Sequence, residues 1–131
     1  MWRENVEIVR AAVDAYNRGD WDATLKDAAP EFELDFSQSV GPDRGVFGLD
    51  EAHGFMNDLA EHWESLEIEP HEFIEAGEHV VVPWTLHVMG RDGIEVHART
   101  TWVWTIRDGA IARIAMYQQR DDALIAAGLR E

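Results

Sequence analysis

From Val80 to Gln119 the chain follows a period of two. Val82, Trp84, Leu86 and Val88 share one register, with Pro83, Thr85 and His87 in the other. In the run from Ile94 to Ile106, Trp102, Trp104 and Ile106 oppose Arg99, Thr101, Val103 and Thr105. Arg91-Asp92-Gly93 and Arg107-Asp108-Gly109 separate these runs from each other and from Ala110 to Gln119. Such alternation is what a strand with two unlike faces requires, and Asp-Gly supplies the positive φ angles of a tight hairpin. The pattern predicts an antiparallel meander, preceded by one more strand from Leu66 to Glu75.

The first half of the chain reads differently. Val6, Val9, Ala12, Val13 and Tyr16 recur at helical spacing and predict a helix over about 3–17, closed by Asn17-Arg18-Gly19. Asp20 is placed to cap a short second helix carrying Trp21, Thr24 and Leu25, which Pro30 stops. Phe32, Leu34 and Phe36 then alternate with Glu31, Glu33 and Asp35 as a first strand. Residues 37–48 read as the one long loop, and Leu49, Ala52, Met56, Leu59 and Trp63, with Phe55 nearby, predict a third helix over about 49–63. A tail helix runs from Asp121 to about Ala127. Helices first and a hairpin meander later exclude a doubly wound parallel sheet. The expected architecture is α+β: N-terminal helices packed on a strongly curved, mostly antiparallel sheet, an α+β barrel or cone. With 131 residues and no linker or repeat, residues 1–131 form a single domain.

Charge and composition narrow the function. The formal net charge is −15, and the whole excess lies in residues 1–78, with 5 basic against 20 acidic side chains. Such a surface repels phosphate backbones and anionic lipid, so neither nucleic acid nor membrane is an expected partner. Cysteine is absent, which removes disulfides, thiolate catalysis and cysteine zinc sites. The start, Met-Trp-Arg-Glu-Asn, lacks the basic and apolar segments of a signal peptide, and a cytoplasmic location is the expectation. The six histidines form no HExxH or His-x-His pattern, and no phosphate loop, GxGxxG or GxSxG is present. Neither a metal nor a cofactor is expected.

The order of elements resembles the SnoaL-like family of the nuclear transport factor 2-like superfamily, the cone-shaped fold shared with ketosteroid isomerase. The resemblance rests on Tyr16-Asn17-Arg18-Gly19-Asp20, Pro30-Glu31-Phe32-Glu33-Leu34, Trp104-Thr105-Ile106-Arg107-Asp108-Gly109 and the stretch from Tyr117 to Gly128. It implies a pocket between sheet and helices, and commonly a homodimer through the outer sheet face. It also implies where catalytic groups sit. The isomerase tyrosine position falls on Ala12, the base on Phe36 and the oxyanion aspartate on about Trp102. The final-strand carboxylate of cyclase-like and epoxide hydrolase-like members falls on about Met116. All four are apolar here.

Six tryptophans in 131 residues are a large aromatic endowment. The expected ligand pocket comprises Tyr16, Phe36, Phe55, Leu59, Trp63, Trp84, Leu86, Trp102, Trp104, Met116 and Gln118. Indoles in such numbers either fill a core or line a site for a flat or cyclic ligand. Tyr16 either donates to a ligand oxygen or is anchored to a backbone carbonyl. Gln118, in register with Ile114 and Met116, orients a ligand or a neighbour.

Three residues are candidates for acid–base catalysis. Asp35 is one residue from the usual base position, and a bulge would turn it inward; strict alternation puts it outside with Glu31 and Glu33. His53 borders the buried face of helix three, and Tyr16 is the third. The function so implied is binding of a small hydrophobic molecule. The alternative is a cofactor-independent isomerase, cyclase, dehydratase or epoxide hydrolase acting on a small apolar substrate.

Overall fold

The structure, a computed structural model, describes residues 2–37 and 45–129; side chains at 2–4, 21, 56, 59, 60 and 62 lie outside that description. Elements follow in the order α1 (Trp2–Asn17), α2 (Trp21–Thr24), β1 (Ala28–Asp35), β2 (Val46–Phe47), α3 (Leu49–His62), β3 (Trp63–Pro70), β4 (Ile74–Ala76), β5 (His79–Gly90), β6 (Glu95–Arg107), β7 (Ala110–Tyr117) and α4 (Arg120–Ala126). One open sheet runs β2-β1-β7-β6-β5-β3, with β4 beside β5. Every neighbouring pair is antiparallel except β1 with β7.

The long β5–β6 ladder sets which side chains face the helices. Its register runs from His79↔Thr105 to Met89↔Glu95 and includes Val82↔Trp102 and Trp84↔Thr100. At the β6–β7 turn, Asp108 and Gly109 take φ of 52° and 78°, the pair of positive angles that matches a two-residue loop to the strand twist. The inner face meets Val9, Ala12 and Val13 of α1, Leu25 and Ala52 in one buried cluster with Phe32, Leu34, Ile68, Val82 and the indoles. The outer face has its own smaller cluster, where Ala123 and Ala127 cover Val81 and Val103.

Three boundaries differ from the sequence expectation. The second helix ends at Thr24, and the chain is already extended at Ala28, so Pro30 lies inside β1 rather than after a helix. The pairing of β1 with β7 is irregular between Ala28 and Glu33, which accommodates a proline that cannot donate to the ladder. The strand expected over Leu66–Glu75 is two strands: β3 starts directly after α3 at Trp63, and β4 is a short separate partner of β5. Part of the expected long loop is β2, whose Val46 and Phe47 pair with Asp35 and Leu34.

The Asn17-Arg18-Gly19-Asp20 segment does more than stop a helix. Gly19, at φ 74°, closes α1, with Gly19 N–H donating to the Tyr16 carbonyl (3.0 Å) and Asp20 N–H to the Ala15 carbonyl (2.9 Å). Asp20 Oδ1 then accepts from Ala23 N–H at 3.1 Å at the start of α2. This geometry presents the Asn17 amide to β3, an edge strand. Its Nδ2 donates to the Ile68 carbonyl and its Oδ1 accepts from Ile68 N–H, both at 2.8 Å. One side chain thus takes the place of a neighbouring strand at Ile68, fixes α1 over the sheet and blunts the edge. Replacing Asn17 with Ala is expected to cost about 1–3 kcal/mol, two hydrogen bonds' worth, in urea unfolding; an unchanged midpoint would show that the clasp is not what holds α1.

Candidate functional site

Between the inner sheet face and the helices lies a cavity of about 160 Å³. Its wall is formed by Ala12, Val13, Tyr16 and Thr24 from the first two helices, Phe55 and Trp63 at α3 and the start of β3, and Leu34, Phe36, Leu66, Trp84, Leu86, Trp102, Trp104, Ile114 and Met116 from the rest of the sheet side. The indoles form a connected stack: Trp84 and Trp102 ring centroids are 4.3 Å apart, and Trp102 and Trp104 meet edge to face at 5.5 Å. At the other end Phe55 stands edge-on to Phe36 at 5.0 Å and stacks on Phe47 at 5.5 Å. Rings braced in this way hold the void open, because none can rotate into it without losing its partners.

Polar groups in this wall are few. Thr24 Oγ donates to the Asp20 carbonyl at 2.9 Å and is occupied there. The indole N–H groups of Trp84 and Trp104 are buried with no hydrogen-bond acceptor among the described residues. Among the described residues of the wall Tyr16 is the one ionisable group, and burial pushes its phenol far above the usual tyrosine range. It stays protonated at any working pH, so it can take part in hydrogen bonds but cannot serve as a base.

Nine residues named from the sequence therefore meet at one cavity: Tyr16, Phe36, Phe55, Trp63, Trp84, Leu86, Trp102, Trp104 and Met116. The side chain of Leu59 lies outside the described residues. Gln118 does not join them. β7 ends at Tyr117, the chain turns toward α4, and Gln118 is exposed instead of continuing the inward register. Ala12, Val13, Thr24, Leu34, Leu66 and Ile114 complete the wall, and sequence reasoning did not select them. Their apolar periodicity marked a buried face but held no sign of where that face would be left unfilled.

The two other acid–base candidates lie elsewhere. His53 is half-buried on α3, between the fully buried Ala52 and the cavity-lining Phe55, and is not in the wall. Asp35 is on the opposite side of the sheet. The β1 irregularity falls before Glu33, so Leu34 and Phe36 keep the inward register and Asp35 points outward. There it ion-pairs with Arg113, which sits opposite Glu33 on β7, and accepts from Ser37 N–H at 2.9 Å. Burial works to raise the Asp35 pKa, but the Ser37 hydrogen bonds and the Arg113 charge outweigh it and the carboxyl is held below its ordinary range. This is a structural anion, opposite in character to a general base raised by desolvation.

The chain matches the SnoaL-like domain model over residues 9–114. It belongs to the SnoaL-like family. No curated protein matches it. Among solved structures it is similar to an NTF2-like protein of unknown function from Burkholderia pseudomallei K96243, at 25% identity and TM-score 0.76, covering 93% of this chain and 95% of that one. TerC, co-crystallised with polyporic acid, is similar at 22% identity and TM-score 0.78, over 95% of this chain and 98% of TerC. The epoxide hydrolase/cyclase-like enzyme SalBIII, of pyran ring formation in the polyether salinomycin, is similar at 20% identity and TM-score 0.75, over 89% and 92%. These likenesses establish the NTF2-like fold for this SnoaL-like chain.

The Asp35 pair carries a pH prediction. Its folded pKa lies below its unfolded value, so its contribution to stability is complete above roughly pH 4 and is lost as pH falls through the folded value. Asp35→Asn should therefore lower stability at pH 7 and do so much less at pH 3, as measured by urea unfolding at both. A deficit that did not shrink on acidification would mean that the Arg113 pair is not its source.

Proposed function

We propose that this SnoaL-like domain binds a small, neutral, predominantly apolar molecule in the aromatic cavity. One observation carries the reading: among the described residues, the wall holds no carboxylate, imidazole or amine, only apolar side chains, Tyr16, Thr24 and indoles. An uncharged ligand loses little on leaving water for such a site, whereas a charged one would lose its hydration without compensation. TerC, co-crystallised with polyporic acid, supports small-molecule binding as a use of this fold.

The second reading, proton-transfer or ring-forming catalysis like that named for SalBIII, is less well supported. It would rest on Tyr16 alone. A phenol kept protonated by burial can polarise a ligand oxygen but accepts no proton, and both Asp35 and His53 are outside the wall.

Size adds a limit. A dry apolar void of about 150 Å³ accommodates one benzene ring, and the cavity here is about 160 Å³. The fitting ligand is one ring with short substituents, not a fused polycycle. We expect one-ring apolar compounds to quench tryptophan fluorescence saturably and four-ring compounds to fail. Leu86→Trp, which fills the cavity, should weaken binding at least about tenfold while leaving the fold intact. No response to any one-ring compound, or binding indifferent to Leu86→Trp, would exclude the cavity as the site.

A homodimer through the outer sheet face belongs to the same reading, on the family resemblance. α4 occupies the middle of that face, over Val81 and Val103. The surface beside it, where the β5–β6 register presents Thr85 and Arg99, is left for a second copy. Sedimentation is expected to give about twice the 14.9 kDa of one chain; a single 14.9 kDa species at high micromolar concentration would remove the dimer.

A further inference from the structure

On the outer face, away from the cavity, His87 of β5 and His97 of β6 are direct register partners. Their Nδ1 atoms converge to 2.6 Å, and the rings lie edge to face with centroids 4.7 Å apart. Each ring also has a carboxylate behind its other nitrogen. His87 Nε2 is 2.8 Å from Glu69 Oε1, and His97 Nε2 is 3.6 Å from Glu95 Oε2. A carboxylate accepting Nε2–H fixes the tautomer whose lone pair is on Nδ1, the arrangement that orients a metal-binding imidazole. Glu69 does this for His87, so His97 Nδ1, 2.6 Å away, presents its N–H to that lone pair. One proton thus lies between the rings, His97 Nδ1–H donating to His87 Nδ1.

We propose that His87 and His97 form a two-histidine site for a divalent late transition-metal ion, Zn²⁺ or Cu²⁺, which replaces this proton. The His97 proton moves from Nδ1 to Nε2, facing Glu95, and both Nδ1 lone pairs bind the ion. Imidazole nitrogen is a favoured donor for these metals. Metal–nitrogen arms of about 2.0 Å require the two Nδ1 atoms to open to roughly 3.3 Å in a tetrahedral site, a small rotation of two surface rings.

The pair opens onto a concavity of about 330 Å³ lined also by Ser65, Glu67, Met89 and Glu95, with room for the water ligands that complete the shell. Those waters are needed, because no group of three or more metal-ligating side chains is present among the described residues. The surrounding glutamates and the −15 net charge concentrate cations at this face.

The test is metal titration of the full chain. Zn²⁺ is expected to raise the melting temperature by bridging β5 and β6, since an ion that binds only the folded state stabilises it. Cu²⁺ is expected to give an electron paramagnetic resonance spectrum with couplings to two imidazole nitrogens. His87→Gln and His97→Gln should each weaken binding at least about tenfold, and Glu69→Gln by about tenfold through lost orientation. His71→Gln should change nothing, as that ring bonds Thr85 Oγ at 2.6 Å instead. All four altered positions reach the surface, and circular dichroism checks that each variant folds. No Zn²⁺ effect on melting, or one that survives both His→Gln changes, would overturn the proposal and leave the pair as a proton-sharing clasp.

Discussion

The pairing of β5 with β6 decides what the interior of this protein is made of. Because side chains alternate strictly along a strand, the register that sets Val82 opposite Trp102 also sends Trp84, Trp102 and Trp104 to the helix side together. A slip of one residue would turn that set to the outside and bring His87, Arg99 and Thr101 inward. The Asp108-Gly109 turn, with both φ angles positive, fixes the return of β7 and carries Ile114 and Met116 to the same face. Once the indoles are inside and braced on one another, the helices cannot close fully over them, and the cavity follows.

Its chemistry is set as much by what is kept out as by what lines it. The chain carries 26 acidic side chains, yet none of the described ones reaches the cavity wall. Asp35, the nearest in sequence to a wall position, is held on the far face by Arg113 and Ser37. The wall is left to van der Waals contact and a few hydrogen-bonding groups, which favours recognition by shape and apolarity over proton transfer. Membership of the SnoaL-like family is compatible with either outcome, because a shared fold fixes the frame and leaves the reacting groups to individual side chains.

The two faces of the sheet are therefore different environments. Inside, the rings exclude water. Outside, α4 packs on Val81 and Val103, with Ile74, Ala76 and Tyr117 in the same cluster, and the surface beyond carries opposed histidines, glutamates and arginines close enough to interact. Those cross-strand contacts join the same strands that position the indoles, so the inner and outer faces share one ladder.

The residues themselves determined the architecture. Period-two runs, the Asp-Gly turn and the Asn17-Arg18-Gly19-Asp20 stop are local signals, and each depends on backbone chemistry that acts over a few residues. They were enough to foretell the α+β arrangement and the side of the sheet on which Trp84, Trp102 and Trp104 lie. What they could not convey is anything set by where separate segments meet. The end of β7 before Gln118, the outward hold of Arg113 on Asp35, the Asn17 bridge to Ile68 and the Nδ1 atoms of His87 and His97 joined across two strands all depend on tertiary placement. The volume left inside is of the same kind, because a void is the difference between the space that braced elements enclose and the side chains that fill it, and no local pattern records a difference.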